Sequence, residues 1–411
     1  MTENVSALDG LNDVPWSSLR HAYAAADEVP GWLRQLNSRN SAQRNAALDQ
    51  LFDSLFHQGS RSPASLAAVP FLARSALNVP AETRSGVLLL LIRLAVDWHD
   101  EYELPGTINT PAWRSLVAEL NDPENLAWYD EQIAAATDPA ARLHLTEMRA
   151  AEEQHTDPRD LALQCYDAVR AELPRLLTLL GATDSTTRAR TAHLAACYPE
   201  EAASSVPQLL DRVTMETEPS VTAAILVAVG LLGDAGTVPH ITAHLASQEP
   251  AIRWAAATAL ARLATGTTAT VDQETVARIV RTLGEATQTS HLKGIEFNGG
   301  DLVGYSVLSL LSLAAFDVDS VLKAVAACLP LVSDRLRTTL LPPAVRVAFT
   351  APSTGSHPAF AALPKGHQKL LESLLEAVGP SRFNRLLQEE LDNCGLPDTR
   401  ATLRAYVDGS G

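Results

Sequence analysis

Aromatic residues, cysteines and basic residues are all scarce in this chain of 411 residues. Aromatic residues make up 5% of the chain, whereas 46% of it is hydrophobic. Alanine, leucine and valine therefore supply the core, and they favour closely packed helices. The 4 cysteines form no C-x-x-C pair, which argues against a zinc ribbon or a dithiol redox motif. We expect them to be reduced core thiols: Cys165, Cys197, Cys328 and Cys394.

A long apolar run is also lacking. The strongest apolar stretch, Gly86 to Val96, contains Arg93 and is shorter than the ~20 residues that span a bilayer. The segment from Met1 to Gly10 is polar and acidic, so it does not resemble a secretory signal. We therefore expect a soluble, cytoplasmic protein with no membrane partner.

Basic residues are outnumbered by acidic ones. The chain has 32 lysines and arginines against 48 aspartates and glutamates, which gives a formal net charge of −16. A field of this sign repels polyphosphates and offers no general electrostatic drive for nucleic-acid binding. We expect no nucleic-acid partner, and we expect a basic protein or peptide to be favoured.

The chain repeats a spacing between proline and arginine. A proline is followed fourteen positions later by an arginine in four places, and a fifth copy begins at Pro207 with Val221 in place of the arginine. Self-similarity at a fixed spacing is typical of stacked-repeat proteins. The four pairs are Pro30 and Arg44, Pro70 and Arg84, Pro174 and Arg188, and Pro239 and Arg253.

The repeat predicts a pair of helices. A proline suits the first turn of a helix because its missing N–H has no partner there in any case. A short polar turn follows, and the arginine lies near the start of a second, alanine-rich helix. Paired alanines at Ala46–Ala47, Ala223–Ala224 and Ala255–Ala256 predict close contact between layers. The fold class predicted is all-α, an α-α superhelix of stacked antiparallel helix pairs.

The repeats divide the chain into four predicted parts. Residues 1–99 and 170–349 hold the repeats, and 100–169 forms an irregular insertion. A linker and capping helices complete the chain at 350–411. The stretch 97–160 is rich in acids and prolines, contains Trp128, and includes a predicted helix from Pro139 to Gln154.

A Val-Pro-x-Leu segment followed by an arginine-bearing, alanine-rich helix resembles the HEAT repeat, in particular the bacterial type associated with phycobilin lyases. Positions 29–99 and 173–266 carry the resemblance. Leu51–Ser60 and Phe297–Tyr305 resemble segments of actinobacterial HEAT-repeat proteins, most of which have no assigned activity. The family pattern implies a concave binding face lined by second helices, and an acid ten positions after each proline. Only two of the five repeats have that acid: the five positions hold Asn40, Pro80, Asp184, Thr217 and Glu249.

The most suggestive local cluster is the acidic stretch around Trp98. His99 and Glu103 are spaced four residues apart, as two metal ligands on one helix face would be, but Leu104-Pro105 ends any helix there. A solvated acidic helix end, a metal site and a partner contact are the alternatives. The binding candidates in this stretch are Trp98, His99, Glu101 and Glu103.

Two further segments are binding candidates. His57 and Gln58 precede Gly59, which predicts either a helix C-cap or a residue pair facing the groove. Asn298 and Asp301 lie in a glycine-bearing loop that either connects two helices, with Asp301 as an N-cap, or recognises a ligand. We expect neither a metal nor another cofactor at these positions.

No nucleophile motif, cysteine–histidine pair or paired-carboxylate site is recognisable, so no catalytic residue is predicted. The primary hypothesis is a non-catalytic scaffold that binds a basic protein or peptide, such as a toxin, in its concave groove. The alternative is an enzyme or lyase-like accessory protein, acting on a small molecule or modified peptide in a pocket under the 97–160 insertion. The sequence does not determine the oligomeric state.

Overall fold

The computed structural model describes residues 6–96, 108–154, 157–266, 271–349, 358–379 and 383–409. Within these ranges every regular element is a helix, and the only β pairing consists of isolated bridges. The predicted fold class, an all-α fold of packed helix pairs, is confirmed. The described residues form two compact units, one up to residue 179 and one from residue 180.

In the first unit, α2 packs against α4, and α8 packs against both α3 and α4. These helices enclose a core of leucine, valine and alanine side chains. The helices are α1 (Val29–Leu36), α2 (Ser41–Leu55), α3 (Pro63–Asn78), α4 (Ala81–Ala95), α5 (Thr110–Leu120), α6 (Pro123–Ala135), α7 (Pro139–Gln154) and α8 (Pro158–Leu176).

In the second unit, the second helices of successive repeats pack in chain order: α9 on α11, and α11 on α13. This is the stacking that the repeat predicts. The helices are α9 (Ser185–Ala196), α10 (Ala202–Met215), α11 (Pro219–Leu232), α12 (Val238–Thr242), α13 (Pro250–Gly266), α14 (Gln273–Leu283), α15 (Ala286–Ser290), α16 (Leu302–Ser312), α17 (Val318–Cys328), α18 (Asp334–Ala348), α19 (Lys365–Ala377), α20 (Arg385–Asn393) and α21 (Arg400–Val407).

The prediction that a proline opens each first helix is wrong for three of the five repeats. Stronger start signals lie further upstream in two of them. Ser62 forms a capping box ahead of Pro63, and the Asp157 side chain caps α8 ahead of Pro158. A cap followed by proline begins a helix more effectively than proline alone. The prolines that consequently lie inside α3, α8 and α10 are Pro70, Pro174 and Pro207.

The repeat arginines occupy the predicted position, the fourth residue of each second helix. The Nη1 atoms of Arg44, Arg188 and Arg253 each donate to the carbonyl oxygens six and five residues earlier, at 2.8 to 3.1 Å. These carbonyls belong to the turn before the helix, where the helix itself supplies no N–H. The arginine therefore closes the turn between the two helices of its own repeat.

The same guanidinium groups also join successive layers. Arg44 donates to the carboxylate of Glu82 at 2.6 Å, and Arg188 makes a two-pronged contact with Glu216 at 2.8 and 2.9 Å. Arg253 instead contacts the amide oxygen of Gln288 at 3.2 Å. In these two ion pairs the carboxylates lie twelve and nine positions after their prolines rather than ten, so the family spacing does not locate them.

The paired alanines are buried in two of the three repeats. Ala223 and Ala224 are at most 2% exposed, and Ala255 and Ala256 are fully buried. In the first repeat only Ala47 is buried, whereas Ala46 faces solvent. Close packing of layers through small residues therefore holds in the second unit.

Arg253→Ala is expected to lower the free energy of unfolding by about 1 to 3 kcal/mol, because two turn carbonyls lose their charged donor. Urea unfolding followed by circular dichroism measures the change. Arg281→Ala, at an exposed position of α14, is the control and should unfold like the wild type. Unchanged unfolding of the Arg253 variant, with loss of partner affinity, would show that the arginine serves binding instead.

No helix within the described ranges combines the length and the apolar character needed to cross a lipid bilayer.

Candidate functional site

His57 and Gln58 lie in a tight turn after α2 and do not form its C-cap. The helix ends at Leu55, and Phe56 already has non-helical backbone angles, with φ −135° and ψ 70°. Gln58 and Gly59 both have positive φ, 51° and 87°, and Ser60 N–H donates to the His57 carbonyl oxygen at 2.9 Å. The predicted capping role of Gly59 is therefore wrong, because the chain leaves the helix four residues earlier and turns back.

The turn places His57 in an aromatic cluster that the sequence did not reveal. The Tyr23 hydroxyl and His57 Nδ1 are hydrogen-bonded at 2.9 Å, and the Tyr23 side chain remains exposed. His21, which is 7% exposed, accepts the Tyr23 N–H at Nδ1 and lies with its ring 5.8 Å from the Trp32 ring. These contacts fasten the amino-terminal segment to the end of α2.

The acidic candidates Trp98, His99, Glu101 and Glu103 lie outside the described residues, so their roles stay predictions.

Asn298 and Asp301 hold backbone in place. The Asp301 carboxylate caps α16 through the Gly304 N–H at 2.7 Å and also accepts the Ser333 N–H, ahead of α18, at 2.8 Å. Asn298 is 1% exposed, has a φ of 56°, and donates to the Asp301 carbonyl oxygen at 2.8 Å. The predicted N-cap role of Asp301 is confirmed, and both of its oxygens are engaged by backbone.

The loop that carries these residues, 291–301, lies against the second helices of the repeats. Glu296 accepts two hydrogen bonds from Arg190 of α9, both at 2.7 Å, and the Phe297 ring lies 4.2 Å from the His193 ring. Gly294 approaches α11 so closely that an added Cβ would sit 3.1 Å from the Ser220 Cβ. The chain's own loop thus covers part of the helix face that the HEAT resemblance assigns to binding.

The four cysteines are buried, and none of them forms a disulfide. Burial raises the pKa of the Cys165 thiol to about 12, although the Arg61 charge opposes the shift. Burial also raises the pKa of Cys328 to about 12. At neutral pH these two thiols are protonated, and a protonated thiol is a poor nucleophile.

The insertion contains a helical hairpin formed by α6 and α7, and α7 coincides with the predicted helix. An ion pair between Asp130 and Arg149 links the two helices. Between residues 121 and 150, no side chain that the structure describes is buried. This hairpin therefore differs from the stacked repeats, whose second helices each contribute buried side chains to the core.

Large apolar side chains stand out from these helices into solvent. Trp128 on α6 is 53% exposed, Leu143 on α7 is 61% exposed, and Leu116 on α5 is 39% exposed. Single exposed apolar side chains are common, whereas a contiguous apolar patch marks an interaction surface. We call α5, α6 and α7 the acidic helices, since the sequence from 108 to 160 has 11 acidic and 4 basic residues.

Among the described residues, no group of three or more histidine, cysteine, aspartate or glutamate side chains is arranged to hold a metal ion.

Comparison with known proteins does not assign this chain to a family. No protein-family model matches the chain. No curated protein matches it. Among solved structures, the chain is similar to an engineered protein determined by the Northeast Structural Genomics Consortium, at 18% identity over 90% of this chain and 99% of that one. The TM-score is 0.31, which is too low to support a shared fold, so the architecture rests on the helices described above.

Proposed function

We propose that this chain is a non-catalytic, HEAT-like scaffold that binds a basic protein or peptide, and that the acidic helices provide the binding surface. The observation that carries the proposal is the coincidence of negative charge and exposed apolar side chains on α5, α6 and α7. A basic toxin is one partner of this chemistry.

Most of the net charge resides in one segment. Residues 97–160 hold 15 acidic and 4 basic residues, which leaves 33 acidic and 28 basic residues for the rest of the chain. The segment therefore accounts for a charge of −11 out of −16. A local concentration of one sign attracts an oppositely charged partner and accelerates encounter, whereas the same charge spread evenly mainly keeps a protein in solution.

Trp128 is suited to anchor such a partner. Glu124 lies four residues before it and Glu131 three residues after it on α6, so both carboxylates share its helix face. An arginine side chain would stack on the indole ring while its charge is balanced by these carboxylates. Tryptophan residues at the centre of an interface commonly contribute a large part of the binding energy.

The second-helix face is a weaker candidate in the second unit. Loop 291–301 already contacts α9 and α11 through Glu296, Phe297 and Gly294. A partner that bound there would have to break the Arg190–Glu296 ion pair and expose Phe297, which is 1% exposed. Binding of a partner to the acidic helices requires no such rearrangement.

The proposal is tested by fluorescence anisotropy with a labelled amphipathic peptide that carries six arginines. Wild-type protein is expected to bind it with an affinity that falls as salt rises. The double variant Glu124→Lys/Glu131→Lys and the variant Trp128→Ala should each bind about tenfold more weakly, because each removes one part of the anchor.

The matched control is Asp211→Lys/Asp392→Lys, which changes the net charge equally at exposed positions of the second unit. It should bind the peptide like the wild type. Equal losses in the control would mean that net charge alone acts, and no binding by the wild type would overturn the proposal.

A further inference from the structure

A groove of about 470 Å³ runs between α14 and α17 in the second unit. Its apolar lining includes Val276 and Val280, on one face of α14, and Phe316, just before α17. Phe316 is 43% exposed, so its ring forms a wall that solvent reaches. The volume lies within the range of about 300 to 1,000 Å³ that small-molecule sites occupy.

Two cationic residues, Arg281 and Lys323, line the groove from its two helices. An added Cβ on Gly284 would sit 3.1 Å from the Ala324 Cβ, so the end of α14 contacts α17 at Ala324. Arg281 is one helical turn before Gly284, and Lys323 is next to Ala324. Both side chains line the groove.

An acidic side chain also lines the groove. Asp317 caps α17 by accepting the Ser320 N–H at 3.1 Å, and it lies within electrostatic reach of Lys323. Lys323 is therefore close to carboxylates, whereas Arg281 lies on the other helix of the groove.

Only one of the two cations is neutralised by the protein. Lys323 is paired with Asp319 at 2.6 Å. Arg281 is exposed, and its side chain has no hydrogen bond or ion pair with any residue that the structure describes. The groove thus has one uncompensated guanidinium, a group that matches the geometry of a carboxylate or sulfonate.

We propose that this groove binds a small amphipathic monoanion, with its apolar body against Val276, Val280 and Phe316 and its anionic group at Arg281. The carboxylates of Asp317 and Asp319 lie near Lys323 and repel an anionic group there, so Arg281 is the cation that receives it. This site is independent of the acidic helices, which are suited to a basic partner.

The test uses 8-anilinonaphthalene-1-sulfonate as the probe, titrated by fluorescence against folded protein. Wild type is expected to bind one probe molecule saturably. Arg281→Ala should weaken its binding about tenfold, because the sulfonate loses its charged donor. The uncharged analogue N-phenyl-1-naphthylamine should bind both proteins alike. Val280→Trp, which fills the groove, should weaken binding of both probes.

Arg278→Ala is the control, since Arg278 is on the same helix but does not line the groove. Far-ultraviolet circular dichroism confirms that each variant is folded. If neither Val280→Trp nor Arg281→Ala changed the affinity for the probe, the probe would bind elsewhere and the proposal would be overturned. If Arg278→Ala weakened binding as much as Arg281→Ala, the loss would come from the change in net charge, and the assignment of Arg281 would be wrong.

Discussion

Glu216→Gln is expected to lower the free energy of unfolding by about 3 kcal/mol, because it leaves a buried guanidinium without its counter-charge. The Glu216 side chain is fully buried, and Arg188 is 9% exposed beside it. The carboxylate accepts hydrogen bonds from Arg188, Arg212 and the N–H groups of Thr217 and Glu218. A neutral amide cannot replace this set of charged contacts.

Glu216 also makes the free energy of unfolding depend on pH. Burial alone would raise the pKa of Glu216, but the hydrogen bonds from Arg188, Arg212 and the backbone outweigh it and lower the pKa from 4.5 to about 2. A carboxyl whose folded pKa is depressed stabilises the fold above its unfolded pKa and loses that contribution as the pH falls. The stabilisation is therefore complete above about pH 4.5 and disappears as the pH approaches 2.

Urea unfolding at pH 7 and at steps down to pH 2 measures both effects. The difference between wild type and Glu216→Gln should be largest at neutral pH and shrink through the window from 4.5 to 2. Asp211→Asn, at an exposed position of α10, controls for the loss of one negative charge and should behave like the wild type. A difference that stayed constant across this window would show that the ionised carboxylate is not what stabilises the fold.

Gly230→Val is expected to destabilise the second unit by about 3 kcal/mol or more, because the layers have no room for a side chain there. Gly230 on α11 faces Ala259 on α13, and an added Cβ would sit 2.4 Å from both the Cα and the Cβ of Ala259. Two of the most tightly packed helices of the unit would have to separate. Valine also lacks glycine's flexibility in the unfolded chain, but this favourable change is about 1 kcal/mol at most.

The control is Gly181→Val, because nothing lies within 4 Å of a Cβ added at Gly181. Thermal unfolding should show a large drop in Tm for the Gly230 variant and little change for the control. Equal Tm values for Gly230→Val and wild type would mean that α11 and α13 are further apart than described, and the close stacking of layers would be wrong.

These two predictions concern contacts that the repeat spacing does not specify. The sequence located each repeat arginine near the start of a second helix, because helix start signals are local and proline, turn and arginine follow in a fixed order. It did not locate Glu82 or Glu216, because the partner belongs to the next layer, and neither lies at the position that the family pattern assigns to the acid.

For the candidate residues, too, local roles could be predicted from the sequence, whereas contacts between distant segments could not. Asp301 could be predicted as an N-cap, since a cap depends on the three residues that follow it. His57 could be placed near the end of α2, but its contact with Tyr23 could not, because 34 positions separate them. The excess of acids between 97 and 160 could be counted from the sequence, whereas the exposure of Trp128 depends on which neighbouring helices cover it.

The helical class, the position of the repeat arginines and the acidic segment follow from local sequence, because helix periodicity, capping and charge are properties of neighbouring residues. How the layers are joined, and which faces remain free, depends on tertiary packing. The Arg190–Glu296 ion pair spans 106 positions, and it holds loop 291–301 across the repeat face. Such a contact forms only when distant segments are brought together by packing, so no local pattern encodes it.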